Sequence, residues 1–407
     1  MNRKVLYISY DGMTDPLGQS QVLPYIIELS KQGYRFTILS FEKKKRYDAE
    51  KKIIEKITQE ASIRWEPLFF TARPPVLSKI YDRWQLMRKA FKLHRQEKFD
   101  IVHCRSYIAS EAGLRLKQKK GVKFLFDMRG FWADERVDNG QWDLEKPFYK
   151  RIYDHYKKKE KEFLLNADGI VSLTQAAKDL LLSKPGYKNI SVEVIPCCAD
   201  LDHFNFARIS KQRSDELRNE LGILPGKKVI IYLGSIGGWY MTHEMFSFYK
   251  RLLLKHPDFV MLILTKDEKA TVINEAASEG IPADKIFVRY APREEVPAYL
   301  GISCCSIFFI RPTFSKTASS PTKHAELMGM GIPVICNNIG DTGNIIEATR
   351  TGIVVHAFSD NDYDKAVEEL PQLLAIPKDV IRQAAFGYFD LKMGAKKYAA
   401  LYSKILN

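Results

Sequence analysis

Residues 305–341 read CSIFFIRPTFSKTASSPTKHAELMGMGIPVICNNIGD, and this stretch decides how the rest of the chain is interpreted. The apolar runs at 306–310 and 333–336 are typical of short buried strands. Between them, Ser320 is a natural N-cap, and Pro321 occupies the position at which proline best starts a helix. The order strand, loop, helix, strand predicts one unit of an α/β sheet.

The predicted helix begins in a cluster of hydroxyl groups and cations. Free N–H groups and a partial positive charge at a helix N-terminus suit a phosphate group. Glu326 lies about 7–8 Å beyond Pro321 along the helix axis, where a carboxylate is placed to accept two hydrogen bonds from a ribose. From spacing alone, an ordinary capped helix with a surface ion pair between Lys323 and Glu326 is the alternative.

The motif S-S-P-T-K-x-x-E-L-x-x-x-G-I-P-V-I at 319–335 resembles the donor-binding helix of glycosyltransferase family 4. The resemblance implies that the small residues and Lys323 meet the diphosphate of the donor and that Glu326 holds the ribose. Many members carry a second glutamate eight residues earlier, where this chain has Ala318. This departure concerns the contacts to the sugar hydroxyls and not the nucleotide assignment.

The resemblance also implies an α/β chain of the GT-B fold, with two Rossmann-like βαβ domains facing across a cleft. The run VIPCCADLDHF at 194–204 is similar to the family segment that ends the first domain, with Cys-Cys in place of Asn-Gly. The polar stretch 205–227 is the best linker candidate. We therefore expect an N-terminal acceptor-side domain at 1–204, completed by a C-terminal helix at 388–407, and a donor-binding domain at 205–387.

The composition is that of a globular protein with excess positive charge: 45% of the 407 residues are hydrophobic, 28% are charged, and the net charge is +14. No apolar run reaches the roughly 18 residues of a membrane span, and the chain start lacks the apolar stretch of a signal peptide. We therefore expect a cytoplasmic protein. The six cysteines lack zinc-binding spacing and are predicted to be buried thiols. The charge favours anionic partners, and without a nucleic-acid signature we expect a nucleotide and an anionic membrane surface.

The first strand, predicted at 5–10, is followed by a long loop that contains Gly18 and by a helix at 22–31. A second strand at 34–41 completes a βαβ unit, and ligands bind at the carboxyl ends of such strands. Gly18 resembles the glycine of the family's first loop, which approaches the donor phosphate and the acceptor. Ordinary turn chemistry is the alternative explanation for one glycine.

Asp127 and Arg129 follow the predicted strand 123–126 directly, at the end where function concentrates in parallel sheets. They are predicted to serve the sugar or the acceptor, and a salt bridge that only closes the loop is the alternative. In the family a histidine often lies at the end of this strand and contacts the donor sugar; here Arg129 stands in its place. His103, at the end of another strand, is either a neighbour of this site or an ordinary structural histidine.

A second glycine-bearing loop follows the predicted strand 229–233 and resembles the first loop of the family's second domain. Most members place an arginine and a lysine just beyond this loop to neutralise the diphosphate, and this chain has neither. We expect other cations to take that role. The predicted donor-binding residues are Gly18, Gly234, Ser235, Lys266, Lys316, Ser319, Ser320, Lys323 and Glu326. The predicted catalytic residues are Asp127, Arg129, Arg311, Lys323 and Glu326.

The segment 80–96, IYDRWQLMRKAFKLHRQ, predicts an amphipathic basic helix with aromatic residues three to four positions apart. This composition is typical of helices that lie on a membrane surface. A domain helix that packs its aromatic stripe on the sheet is the alternative, and both hold if part of the helix faces outward.

The resemblance implies a retaining glycosyltransferase that uses a nucleotide sugar and needs no metal or further cofactor. The expected acceptor is a glycan or polyprenyl-linked glycan of bacterial surface polysaccharide synthesis, reached at the inner face of the cytoplasmic membrane. Fixed cations and a helix dipole are expected to stabilise the departing diphosphate. A sugar-nucleotide 2-epimerase of the same fold and an inactive GT-B binding module are the alternatives. The absence of a strand–GxGxxG–helix motif argues against an NAD-dependent enzyme.

Overall fold

The computed structural model describes residues 3–71 and 73–407, except the side chains of residues 75 and 76. The chain divides into two compact units. The first unit holds the chain up to Cys198 together with Thr317–Ser319 and Leu391–Asn407, and the second holds Ala199–Lys316 and Ser320–Asp390. Each unit contains a parallel sheet with accompanying helices, which confirms the predicted α/β class.

The first unit is built around a sheet of parallel strands. Its strands are β1 Arg3–Ser9, β2 Tyr34–Glu42, β3 Arg64–Phe69, β4 Ile101–Arg105, β5 Lys123–Asp127, β6 Gly169–Ser172 and β7 Val192–Val194. They pair in the order β3-β2-β1-β4-β5-β6-β7. Helices cover such sheets on both faces, so central strands are apolar without alternation; the last five residues of β1 are all buried.

The helices of the first unit follow its strands in the alternating pattern of a Rossmann-like fold. They are α1 Pro16–Gln21, α2 Leu23–Lys31, α3 Lys44–Glu60, α4 Pro75–Glu97, α5 Ser106–Lys120, α6 Trp132–Asp138, α7 Pro147–Asn166 and α8 Gln175–Leu182. The polar stretch that was predicted as a linker contains a further helix, α9 Lys211–Leu221. The linker prediction is therefore wrong for this part, because Leu217 and Leu221 of α9 are buried in the core of the second unit.

The second unit repeats the plan with a smaller sheet. Its strands are β8 Lys228–Leu233, β9 Phe259–Leu264, β10 Ile286–Arg289, β11 Cys305–Phe308, β12 Val334–Cys336 and β13 Gly352–Val354. They pair in parallel in the order β10-β9-β8-β11-β12-β13. The remaining helices are α10 Thr242–Lys255, α11 Lys269–Ser278, α12 Val296–Gly301, α13 Thr322–Gly329, α14 Thr342–Thr349, α15 Asp360–Leu374, α16 Lys378–Phe389 and α17 Leu391–Leu406.

In both sheets the strand order reverses beside the first strand of the unit. The reversal lies between β1 and β4 in the first sheet and between β8 and β11 in the second. Ligands of open parallel sheets bind outside the carboxyl ends of the strands at such a point. Ligand-binding residues are therefore expected in the segments that follow β1, β4, β8 and β11.

Three predicted helix boundaries differ from the structure. Pro321 is itself the N-cap of α13 and makes no side-chain cap, so the helix starts one residue later than predicted. Gly18 lies within the short helix α1 rather than in a loop. The C-terminal segment 388–407 is interrupted at Asp390, and only α17 belongs to the first unit, where it packs on α2. Within the described chain, no helix combines the length and apolar character that crossing a membrane requires.

Candidate functional site

The loop after β8 lies at the strand reversal of the second sheet and is tied to the segment after β11. Arg311 donates its backbone N–H to the carbonyl of Trp239 at 2.9 Å. Gly234 opens the loop with φ +131°, a conformation that residues with a Cβ rarely adopt. A Cβ at this position would also lie 2.7 Å from Nζ of Lys323. The backbone conformation therefore favours glycine here, and the absence of a Cβ leaves room for the lysine amine.

Lys323 extends from the first turn of α13 to this loop and ends among aromatic rings. Its Nζ lies 3.7 Å from the ring centre of Tyr240 and 4.3 Å from that of Tyr232. The residue is only 7% exposed, and its Nζ has no hydrogen-bond acceptor among the described residues. Burial lowers the pKa of Lys323 well below its ordinary value, against the opposing effect of Glu326. An anionic oxygen at this position would supply the acceptor that the amine lacks.

Glu326 lies one turn further along α13 and is also buried, at 6% exposure. Its Oε1 accepts a hydrogen bond from Nη1 of Arg293 at 3.0 Å, while its Oε2 accepts none within the described chain. Burial raises the pKa of Glu326, and the charge and hydrogen bond of Arg293 oppose that rise. The alternative of an exposed ion pair between Lys323 and Glu326 is therefore wrong, because both residues are buried and Glu326 pairs with Arg293.

Two more of the predicted cations hold the same glycine-bearing loop. Arg311 is exposed, and its Nη2 donates to the carbonyl of Gly238 at 3.0 Å. Nζ of Lys316 lies 3.8 Å from the ring centre of Trp239. The structure thus brings Arg311, Lys316 and Lys323 to successive positions of one loop at the strand reversal.

Lys266 and Ser235 occupy the exposed side of this region. Lys266 follows β9, and its Nζ lies 5.5 Å from the ring centre of Tyr290. The carbonyl of Ser235 accepts a hydrogen bond from the Tyr232 hydroxyl. Asp267, next to Lys266, accepts a hydrogen bond from the backbone of the loop at Ile236. Lys266 is thus linked to the loop through its neighbour and not by a direct contact of its own.

The segment before α13 is divided between the two units. Ala318 and Ser319 belong to the first unit, and Ala318 is buried among that unit's apolar side chains. Ser320 belongs to the second unit together with Lys323 and Glu326. Both serines are half-buried, so the segment ahead of the helix is partly accessible while the helix residues behind it are not.

Asp127 closes β5 in the first unit and is almost fully buried. Its Oδ2 accepts a hydrogen bond from the Tyr398 hydroxyl at 3.3 Å and lies 3.5 Å from Nε2 of His103. His103 in turn contacts the Tyr402 hydroxyl through Nδ1 at 2.6 Å. Burial lowers the pKa of His103, whereas Arg129 and His103 hold the pKa of Asp127 below its ordinary value despite burial. His103 is therefore a neighbour of Asp127, and it also links β4 to α17 through its contact with Tyr402.

Arg129 forms the ion pair with Asp127 that was considered as an alternative, at 3.8 Å between Nη1 and Oδ1. Its Nη2 also donates to Sγ of Cys197 at 3.3 Å, and its backbone has the left-handed φ of +59°. Gly18 lies apart from these contacts in α1, where a Cβ would lie 2.2 Å from the carbonyl oxygen of Gly12. Gly18 therefore permits close packing of α1 on the loop after β1.

Sequence reasoning missed the residues that surround the predicted ones. Tyr232 and Tyr240 enclose the Lys323 amine, and Arg293 pairs with Glu326. Tyr232 belongs to an apolar strand and Tyr240 to an irregular loop, so neither gives a local signal. Arg293 lies in the loop after β10, three residues before α12 begins. Its place at the carboxyl end of a strand is the signal that would have identified it.

None of the six cysteines, all of which the structure describes, forms a disulfide bond; five are buried and Cys304 is half-buried. Among residues 3–71 and 73–407, no group of three or more His, Cys, Asp or Glu side chains is arranged to hold a metal ion. The expectation of metal-independent chemistry stays a prediction.

Two family models match consecutive parts of the chain. The model described as Glycosyltransferase Family 4 matches residues 21–203. The model described as Glycosyl transferases group 1 matches residues 213–385. Together they cover both units and include the loop after β8 and helix α13.

Curated relatives are distant in sequence. The chain is 22% identical over 176 residues to spore coat protein SA of Bacillus subtilis, which covers 41% of this chain and 45% of that protein. It is 20% identical over 286 residues to a D-inositol 3-phosphate glycosyltransferase of Rhodococcus jostii, which covers 68% of this chain and 60% of that protein. The chain therefore spans about half to three fifths of the length of these relatives.

Solved structures match nearly the whole chain. A glycosyltransferase from Rickettsia africae matches with TM-score 0.71 at 18% identity and covers 100% of this chain and 99% of that one. Anabaena HepE in complex with UDP and glucose matches with TM-score 0.70 at 13% identity, with coverages of 98% and 99%. A UDP-N-acetylglucosamine 2-epimerase described as putative, from Listeria monocytogenes, matches with TM-score 0.57 at 14% identity, with coverages of 98% and 95%. At these identities the matches show the fold, and they confirm the predicted GT-B architecture.

Proposed function

Because the chain belongs to glycosyltransferase family 4 and has the GT-B fold, we propose that it is a retaining transferase that moves a sugar from a nucleotide-sugar donor to a glycan acceptor. The donor diphosphate binds at the loop after β8 and the start of α13. Lys323 contacts the diphosphate, and Glu326 accepts hydrogen bonds from the ribose. The transfer needs no metal ion in this proposal.

One observation carries the donor assignment: the Lys323 amine is buried without a hydrogen-bond acceptor. A buried, unpaired amine is costly, and folds retain such groups where a ligand satisfies them. At the same loop, Arg311 donates to the carbonyl of Gly238, and the Lys316 amine lies over the ring of Trp239. A diphosphate placed against this loop would meet three cations and the N-terminus of α13.

The same arrangement suits the departure of the diphosphate. The bond between the anomeric carbon and the phosphate oxygen breaks, and the leaving diphosphate takes the electron pair. Fixed cations and the dipole of α13 stabilise that growing negative charge. The acceptor oxygen bonds to the anomeric carbon on the same face, and its proton passes to the leaving phosphate. In this scheme Asp127 is a positioning residue, because it is buried beneath Arg129 and held by Tyr398.

A lipid-linked acceptor, such as a polyprenyl-linked glycan of a bacterial surface polysaccharide, is supported by one face of α4. Four large apolar side chains at helical spacing are each 49–63% exposed there, namely Leu77, Ile80, Tyr81 and Trp84. Arg88 lies over the Trp84 ring at 5.3 Å. Met87 and Phe91, further along the same helix, are partly buried and pack on the core of the first unit. An apolar face bordered by cations fits an anionic membrane surface.

Vesicle binding tests this part of the proposal. Wild-type protein is expected to sediment with vesicles that contain phosphatidylglycerol and much less with vesicles of phosphatidylcholine alone. Trp84→Ser should weaken that binding. Leu254→Ser is the matched control, since Leu254 on α10 is 76% exposed but lies in the other unit. Equal binding of both variants would exclude the α4 face as the membrane contact.

Product analysis tests the transferase assignment. The protein is incubated with a panel of nucleotide sugars, beginning with UDP-glucose, and an acceptor extract. Free nucleoside diphosphate together with a lengthened glycan supports transfer. An isomerised donor would instead indicate the epimerase alternative, and no nucleotide binding at all would indicate an inactive binding module. Glu326→Ala is expected to abolish transfer in a folded protein, and unchanged activity would contradict its ribose role.

A further inference from the structure

Two arginines that the donor site does not use lie at the ends of the neighbouring strands β4 and β5, and β4 borders the strand reversal of the first sheet. Arg105 ends β4 and is 4% exposed. Arg105 pairs with Asp127 in the register of β4 and β5, and Arg129 lies two residues after Asp127. Burial and the positive charge of Arg129 oppose the charged form of Arg105, but Tyr7, Asp11 and Asp127 outweigh them, and the pKa of Arg105 is raised.

Both guanidinium groups have N–H atoms without acceptors. Nη1 of Arg105 and Nε of Arg129 are buried and make no hydrogen bond with the described residues. The contacts of the two side chains are single ones. Nε of Arg105 donates to Oδ2 of Asp11 at 3.2 Å, Nη2 of Arg129 donates to Sγ of Cys197 at 3.3 Å, and Nη1 of Arg129 lies 3.8 Å from Oδ1 of Asp127. A guanidinium fork binds carboxylate or phosphate most strongly in a bidentate arrangement, and neither arginine has one here.

The backbone at the same place is also unusual. Ser106 and Arg129 have φ of +65° and +59°, the left-handed conformation that residues other than glycine rarely adopt. Such strain tends to persist at binding sites. Helix α5 begins immediately after Arg105, and its N-cap makes no side-chain hydrogen bond. The free N–H groups of a helix start add to the attraction for an anion.

We infer that Arg105, Arg129 and the start of α5 form a binding site for a phosphate group of the acceptor, and that Asp11 is the counter-ion which the phosphate displaces. Asp11 suits that role because its side chain is 46% exposed and contacts Arg105 through one bond. Asp127 stays in place, since Tyr398 and His103 hold it. The inference rests on the proposed transferase function, in which the first unit holds the acceptor, and it names that acceptor as phosphorylated.

Titration with inorganic phosphate at constant ionic strength tests this site by calorimetry. Wild type is expected to bind phosphate, and Arg105→Lys, which keeps the charge but loses the fork, should weaken binding by about tenfold. Asp11→Asn should strengthen binding by about threefold, because it removes the competing carboxylate. Arg115→Lys is the control, as Arg115 is exposed on the same helix.

Lys323→Met separates this site from the donor site, which also attracts phosphate. Phosphate binding that survives Lys323→Met and is weakened by Arg105→Lys supports the inference. Binding that disappears with Lys323→Met and is unchanged by Arg105→Lys would overturn it, and so would the absence of phosphate binding by wild type. Binding of UDP is measured in parallel, so failure of the donor assignment is seen separately.

Competition with two phosphates distinguishes the source of the group. Glucose 6-phosphate represents a soluble phosphorylated sugar, and farnesyl diphosphate represents a lipid-linked acceptor. Displacement of inorganic phosphate by either one in the Lys323→Met protein supports the site, and the stronger competitor identifies the acceptor class. Displacement by neither would contradict a phosphorylated acceptor.

Discussion

Lys323 shows how one residue combines a cost in stability with a role in binding. Its amine lies between two tyrosine rings, which attract a cation, but it lacks a hydrogen-bond acceptor among the described residues. Burial lowers the pKa of Lys323, and the nearby charge of Glu326 offsets only part of that decrease. The residue is expected to be poorly stabilised until an anion binds.

Replacement of this lysine by a residue of similar shape should stabilise the protein. Lys323→Met keeps the packing against Tyr232 and Tyr240 and removes the unpaired amine. We expect the free energy of unfolding to rise by about 1–3 kcal/mol, as measured by denaturant titration without ligand. Lys285→Met is a control, because Lys285 is only half-buried and its amine has a carbonyl acceptor. A loss of stability in Lys323→Met would show that the amine is satisfied in the ligand-free protein.

Binding of a diphosphate should be accompanied by the uptake of a proton at Lys323. The pKa of Lys323 is below 10.5 in the free protein, and a bound anion favours the charged amine and raises that pKa. Binding of UDP is therefore accompanied by proton uptake and weakens as the pH rises through the lowered pKa of Lys323. Calorimetry in two buffers of different ionisation enthalpy measures the uptake. Equal heats in both buffers at alkaline pH would contradict it.

At the scale of a single element, α13 carries a second unsatisfied group. Both ring nitrogens of His324 are buried without partners in the described chain, and the ring packs against Phe308 and Phe389. Burial lowers the pKa of His324 from 6.5 to about 3. The unfolded chain therefore binds a proton between these values that the folded chain does not, and stability falls as the pH decreases through this range.

This linkage predicts that the second unit is sensitive to acid through His324. When the pH is lowered from 7.5 to 5, His324 should reduce the free energy of unfolding by about 2 kcal/mol. His324→Leu should remove that part of the pH dependence, and His356→Leu should not, because His356 is largely exposed. Denaturant titrations at the two pH values measure the difference. Parallel losses in wild type and His324→Leu would contradict the assignment.

The elements themselves were largely predictable, and their exact limits were not. The apolar strands and the glycine-bearing loops follow from local pattern, which the sequence displays directly. The start of α13 at Thr322 and the break at Asp390 depend on tertiary packing, which no local signal records. Helix α9 was mistaken for a linker because its buried residues are few and its surface is strongly polar.

At the scale of the whole molecule, the order of the strands explains where the candidate sites lie. The loops after β1, β8 and β11 follow strands that border a reversal, and the loop with Asp127 and Arg129 follows β5, the neighbour of β4. The fold class and the loop after β8 could be anticipated from motifs and resemblance. The partners of the key residues could not be anticipated, because they are distant in sequence. Arg293 and Tyr240 are remote from α13 along the chain, and Tyr398 of α17 is remote from Asp127.

Contact between the Lys323 amine and the diphosphate of a nucleotide is tested by paired binding measurements. Dissociation constants for UDP and for uridine are measured by calorimetry with wild type and Lys323→Met. We expect the affinity for UDP to fall by about tenfold or more, as for loss of a charge-assisted contact, while the affinity for uridine stays the same. Equal losses for both ligands, or no loss for UDP, would contradict the claim.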